Sequence, residues 1–165
     1  MPSAVLMFTQ ESVPTVAVDQ AAAIYTPGAL AIGQNGNIFR YILASAGLTR
    51  VGGSLRVAAA AAVGYSRLMT TNAGVGVCEA VTGALVSAIT NAYYGFETVY
   101  GPQTIYVCAA GVSTAVGKAI QGGGTAVEGF EKYIAVTATQ VGGPCGHAEA
   151  IIAGGNTGAG FMQAM

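Results

Sequence analysis

Reactive side chains gather in one short stretch, Pro144-Cys145-Gly146-His147-Ala148-Glu149. It contains the His-Ala-Glu and Pro-Cys fragments of zinc-dependent deaminases, but those enzymes place His-x-Glu first and Pro-Cys-x-x-Cys after it. Here the order is reversed and no cysteine follows position 145, so a tetrahedral site of that type lacks ligands. A nucleophilic Cys/His pair would need His147, the single histidine, to meet a thiol and be oriented by a third group. Cys145 lies two residues away, which on a strand is the same face. A small Cys/His enzyme or metal protein is therefore one reading, set against a loop that holds a hydrogen-bonded histidine. The glycine-rich stretch Gly111-Val112-Ser113-Thr114-Ala115-Val116-Gly117-Lys118-Ala119 has one residue too many between its glycines for a Walker-type loop. It also lacks the hydroxyl that would bind the metal. Neither segment carries a complete catalytic pattern, so the sequence predicts no enzyme, cofactor or metal.

The composition points elsewhere. Six basic and seven acidic residues make 8% of the chain charged, against roughly a quarter in an ordinary soluble domain. A folded monomer of this mass exposes on the order of 7,500 Å², which leaves wide tracts without an ion and implies that neighbours cover much of the surface. The net charge of −1 and the scattered arginines and lysines give no basic stripe, which argues against direct nucleic-acid binding. The longest uncharged run of interest, 98–117, has about the length of a membrane span. It contains Gly101-Pro102-Gln103, a poor start for a helix in hydrocarbon. The first basic residue is Arg40, so the expectation is neither export nor membrane insertion. Cys78, Cys108 and Cys145 form no CxxC pair and read as reduced thiols of a protein made in the cytoplasm.

The elements that must position these groups read as mainly β: a compact antiparallel sandwich or barrel-like domain with an extended N-terminal arm and at most one short helix. Residues 1–18 form the arm, 19–153 the β-rich body and 154–165 a Gly-rich tail whose composition predicts flexibility. The clearest hairpin joins 29–32 to 37–43 through Gly33-Gln34-Asn35-Gly36. In its second strand Phe39, Tyr41 and Leu43 alternate with Ile38, Arg40 and Ile42. The alanine-rich stretch 56–63 is a helix or a strand among close neighbours. Further strands are expected at 74–80, 85–89, 93–100, 104–108, 132–136 and 148–152, with Gly101-Pro102 turning between the central two and Gly122 to Gly124 as another turn. Residues 42–49 echo 106–113 at an offset of 64, and Gly53 stands opposite Gly117, which suggests a pseudo-symmetric pair of β-units.

The segment 36–47 and its echo 103–111 share a pattern of glycine, aromatic, apolar run and Ala/Gly turn. In this they resemble the small capsid decoration, or cement, proteins of tailed bacteriophages, of the cyanophage and aquatic type. The resemblance implies a β-rich homo-oligomer, dimer or trimer, that bridges major capsid protein subunits on the outer surface of the virion. In keeping with the charge and hydropathy above, neither a direct nucleic-acid partner nor a membrane is expected. Another self-assembling virion subunit, such as a tail or minor capsid protein, is the alternative within that class. The contact candidates are Leu6, Met7 and Phe8 in the arm; Arg40, Arg50, Arg56 and Arg67, whose guanidinium groups form forked pairs with carboxylates; and the aromatics Tyr93, Tyr94, Phe96, Tyr100 and Phe161. Tyr106 belongs to the same aromatic group, with packing in the core as the alternative.

Overall fold

The hairpin forms where its spacing requires. In the computed structural model, β2 (Leu30–Ile32) pairs antiparallel with β3 (Ile38–Ala44), and Gly36 closes the turn with φ +75°. The structure describes residues 5–7, 19–33, 36–58, 65–69, 81–107, 113–122, 129–132 and 144–164. Strand β1 (Val5–Met7) pairs parallel with β2; the rest of the expected arm lies outside the described residues.

Beyond the hairpin come β4 (Ser54–Val57), β5 (Ser66–Met69), β6 (Gly83–Leu85), β7 (Tyr94–Tyr106), β8 (Ala119–Gly122), β9 (Phe130–Lys132), β10 (Gly146–Ala148) and β11 (Thr157–Gln163). The described residues contain strands and no helix. Arg56 and Val57, where a helix was one option, end β4; residues 59–64 lie outside the described set, as does the strand expected at 74–80. Ladder order β3-β5-β4-β6-β7, with β7 returning to pair with β3, closes a five-stranded barrel. The β3–β5 contact is parallel and the other four are antiparallel. Its interior holds Ile42, Ala44, Leu55, Met69 and Leu85, with Leu48 and Ile89 packed beside them. Outside it, Phe39, Tyr41 and Phe96 are covered by Ala29 and Ala31.

Two expectations about turns and tails are overturned. Gly101-Pro102 does not reverse the chain, because β7 runs through it for 13 residues. Gly101 takes φ +105°, a conformation open to glycine. Pro102 has no N–H to give to a ladder, and its carbonyl accepts a hydrogen bond from Asn37 Nδ2 at 3.0 Å. The Gly-rich tail is not a loose tether: β11 lies between β7 and β10. Its glycines serve close packing, since a Cβ on Gly158 would run into Ile152 and one on Gly160 into Ile105. Flexibility read from composition loses to burial here.

The internal echo is a structural repeat, with a corrected register. Residues 38–100 and 101–163 form two units with the same ladder. Tyr41↔Phe96 and Ile42↔Gly95 recur as Thr104↔Ala159 and Ile105↔Gly158, a shift of 63. Leu55↔Met69 recurs as Ile120↔Lys132, and Ala84↔Thr98 as His147↔Phe161. The parallel contact Ala44↔Arg67 recurs as the isolated parallel bridge Val107↔Phe130. Loop bonds repeat too: Leu85 N–H donates to Gly53 O at 2.9 Å, and Ala148 N–H to Lys118 O at 2.9 Å. An offset of 64 would match Ile42 with Tyr106, on the wrong face of a period-two strand. At 63 it matches Ile105, and both isoleucines are buried. The second unit is longer before its second strand, so Gly52, at φ +74°, matches Gly117, at φ +71°. Strand β7 belongs to both units, as the last strand of one and the first of the next.

Candidate functional site

The fold places Cys145 and His147 on opposite sides of a wall. Cys145, expected on the same face as His147, lies in the core of the second unit with Ile105, Ile120, Phe130 and Met162. Its thiol donates to Ile120 O at 3.4 Å. His147 faces out, its ring stacked on Phe161 at 5.3 Å and 12°. Among the described residues no group of three or more His, Cys, Asp or Glu side chains is placed to hold a metal ion. Gly117 and Lys118 sit at an exposed turn between an isolated bridge and β8.

Among the described residues, the strongest concentration of charge lies inside the first barrel. Arg67 on β5 and Glu97 on β7 are 2% and 0% exposed, and Arg67 Nε donates to Glu97 Oε1 at 3.0 Å. Thr82 Oγ donates to Glu97 Oε2 at 2.8 Å, and Arg40 Nη1 reaches Oε1 at 3.4 Å. Arg67 Nη1 also donates to Ser66 O at 3.2 Å. Burying a carboxylate and a guanidinium is tolerable only when each is paired and hydrogen-bonded, and this network ties β3, β5 and β7 to the residue before β6. Glu97 was not singled out in the sequence. Its signal is a lone carboxylate in an otherwise apolar and aromatic strand, Tyr93-Tyr94-Gly95-Phe96-Glu97-Thr98-Val99-Tyr100.

The second unit builds the same barrel position without ions. Phe130 occupies the place of Arg67, Gly160 that of Glu97, Cys145 that of Thr82 and Gln103 that of Arg40. Phe130 is fully buried. The same ladder is thus built without that ion pair, and the place of the carboxylate is taken by a glycine packed against Ile105.

These placements divide the contact candidates. Arg67 and Phe96 are corrected to core residues, 2% and 1% exposed: Arg67 points into the barrel beside Glu97, and Phe96 lies on its outer wall in the cluster with Ala29, Ala31 and Tyr41. Arg40 is half-buried beside Glu97, and Arg56 is half-buried on β4. Arg50 is exposed, its guanidinium 4.6 Å from the centre of the Tyr106 ring. The aromatics do not form one surface. Tyr93 packs on the barrel interior cluster, while Tyr94 stacks on Tyr41 at 5.8 Å, and Phe96 lies 5.0 Å from the Tyr41 ring. Tyr100 meets Phe161 edge-on at 5.1 Å, next to His147. Tyr41 donates its hydroxyl to Gln20 Oε1 at 2.8 Å; burial, the largest influence, raises its pKa above the ordinary tyrosine value. Leu6 and Met7 lie on β1, and Phe8 lies outside the described residues.

The described arrangement therefore consists of a barrel whose apolar core encloses an ion pair, a copy with Phe130 and Gly160 at the positions of that pair, and an outer aromatic row of His147, Phe161 and Tyr100. No protein-family model, curated protein or solved structure matches this chain.

Proposed function

We propose that this protein is a structural virion component, a cement protein that decorates the outer capsid surface and bridges major capsid protein subunits without catalysing a reaction. The observation that carries this reading is the poverty of ions on its exterior. Arg67 and Glu97 are in the core, so at most eleven of the thirteen Lys, Arg, Asp and Glu side chains are left for 7983 Å² of surface. That is about one per 730 Å², more than the largest apolar patch usual on a monomer. Large apolar side chains stand exposed as well, including Ile24, Val116 and Ile151 at 56%, 63% and 75%. A surface of this kind suits adhesion to a lattice, where repeated weak contacts add through effective concentration. Arg50, exposed and braced on Tyr106, is the arginine best placed to pair with an acidic group of the capsid.

The test is to incubate the purified chain with whole tailed phage particles whose heads are undecorated, separate them on a gradient and image the particles by electron microscopy. Regular density on the outer capsid is the expected result, with occupancy lowered by Arg50→Glu. Folded protein that leaves every head bare, or density confined to tails, overturns the cement reading; the second outcome selects the alternative of a tail component.

A further inference from the structure

The two units show what one face of this fold is shaped to meet. In the first unit Ser54, Ala84 and Thr98, on β4, β6 and β7, are all fully buried. The second unit packs there: Ser54 Oγ donates to Gly129 O at 2.7 Å, Thr98 Oγ1 to Gln103 Oε1 at 3.0 Å, and Ala84 joins the core of the second unit. The adjoining turn completes the contact, with Gly52 O accepting from Tyr106 N–H at 2.8 Å. A Cβ on Gly52 would strike the backbone of β7.

The same positions in the second unit are Ala119, His147 and Phe161, and all three are half-exposed. Gly117 repeats the turn of Gly52, yet a Cβ there would meet open space. Val116 and Ile151, the two most exposed large apolar side chains among those described, stand on this unit's turns. A surface covered in one copy of the unit is thus open in the other, and it carries apolar and aromatic groups.

We infer that this open face docks a second copy of this chain, which meets it through the segment that covers its own β3. In that second copy the edge of β3 is covered by residues 28–32, through Gly28 N–H to Tyr41 O at 2.7 Å and Tyr41 N–H to Ala29 O at 2.9 Å. Ile32, exposed on this strap, and Ile24 give the incoming chain its apolar surface. The contact joins unlike surfaces and is heterologous, so it can propagate beyond a dimer. It stands independently of the capsid reading, because it concerns the chain's affinity for itself.

Sedimentation velocity across a dilution series tests this. Wild-type protein is expected to grow in mass with concentration. V116D/I151D is expected to weaken association about a hundredfold, from two apolar side chains worth about tenfold each. Both side chains are exposed, so the fold should survive, as checked by circular dichroism. V51D, at the matching turn of the first unit, is the control and should associate as wild type does. Wild-type protein that stays monomeric at millimolar concentration overturns the inference. So does V116D/I151D that associates normally, or V51D that weakens association equally. Capsid binding by a strictly monomeric chain would refute this inference and leave the cement reading intact.

Discussion

Removing the Glu97 carboxylate should be far more damaging than removing the whole ion pair. Glu97→Leu leaves the Arg67 guanidinium 2% exposed without the acceptor of its Nε–H, and takes from Thr82 and Arg40 an oxygen at 2.8 Å and 3.4 Å respectively. Breaking a buried pair by deleting one partner costs about 3–5 kcal/mol. Replacing both partners by apolar groups is often neutral or stabilising, and the second unit already carries Phe130 at this position. The double variant Arg67→Met with Glu97→Leu should therefore lie within about 1 kcal/mol of wild type, the small remainder reflecting the Thr82 hydroxyl and Arg40. Urea unfolding followed by circular dichroism measures both. With a slope of about 2 kcal/mol/M, the single variant should move the midpoint down by about 2 M and the double by about 0.5 M or less. A double variant that loses as much as the sum of the two single losses would refute the reasoning, since the network would then contribute through independent packing rather than mutual compensation.

Other consequences follow from the packing and from Tyr41. Because burial raises the Tyr41 pKa in the folded state, the stability it contributes is complete below the unfolded value of about 10 and is lost as pH rises through the folded value. Unfolding free energies measured from pH 8 to 11 should fall at the alkaline end, and Tyr41→Phe should flatten that fall while losing the bond to Gln20, worth about 1 kcal/mol. Gly160→Ala should cost about 1–3 kcal/mol by driving a methyl group into Ile105. Calorimetry should show Ile105→Val relieving part of that loss. Gly101→Ala combines positive φ with a clash at Asn37, and should lower Tm by several degrees, about 4 °C or more.

The hairpin at 30–43 was legible because glycine punctuation and alternating apolar residues agree with each other there. The mainly β architecture was legible for the same reason, repeated along the chain. The repeat was visible only as a blurred echo. Gly83/Gly146, Ile89/Ile152 and Gly95/Gly158 are identical across the units, but the extra residues before Gly117 displace a single ungapped offset from 63 to 65. Glycine was the main source of error. At Gly101, Gly158 and Gly160 it reads as turn and tether, whereas the structure uses it where neighbouring atoms leave no room for a side chain. Arg67 looked like surface because an arginine is seldom enclosed. Its partner Glu97 is 30 residues away, beyond the reach of any local pattern. The split of Cys145 from His147 was hidden as well, since alternation along a strand predicts a common side.

Strand β7 ties the fate of both halves together. A polypeptide cleaved at the seam between residues 100 and 101 would leave each fragment with a half-length stave, and each would lose the neighbour that shields its wall. Melting should accordingly proceed in one cooperative event. The duplication thus behaves thermodynamically as a single object, despite reading architecturally as two.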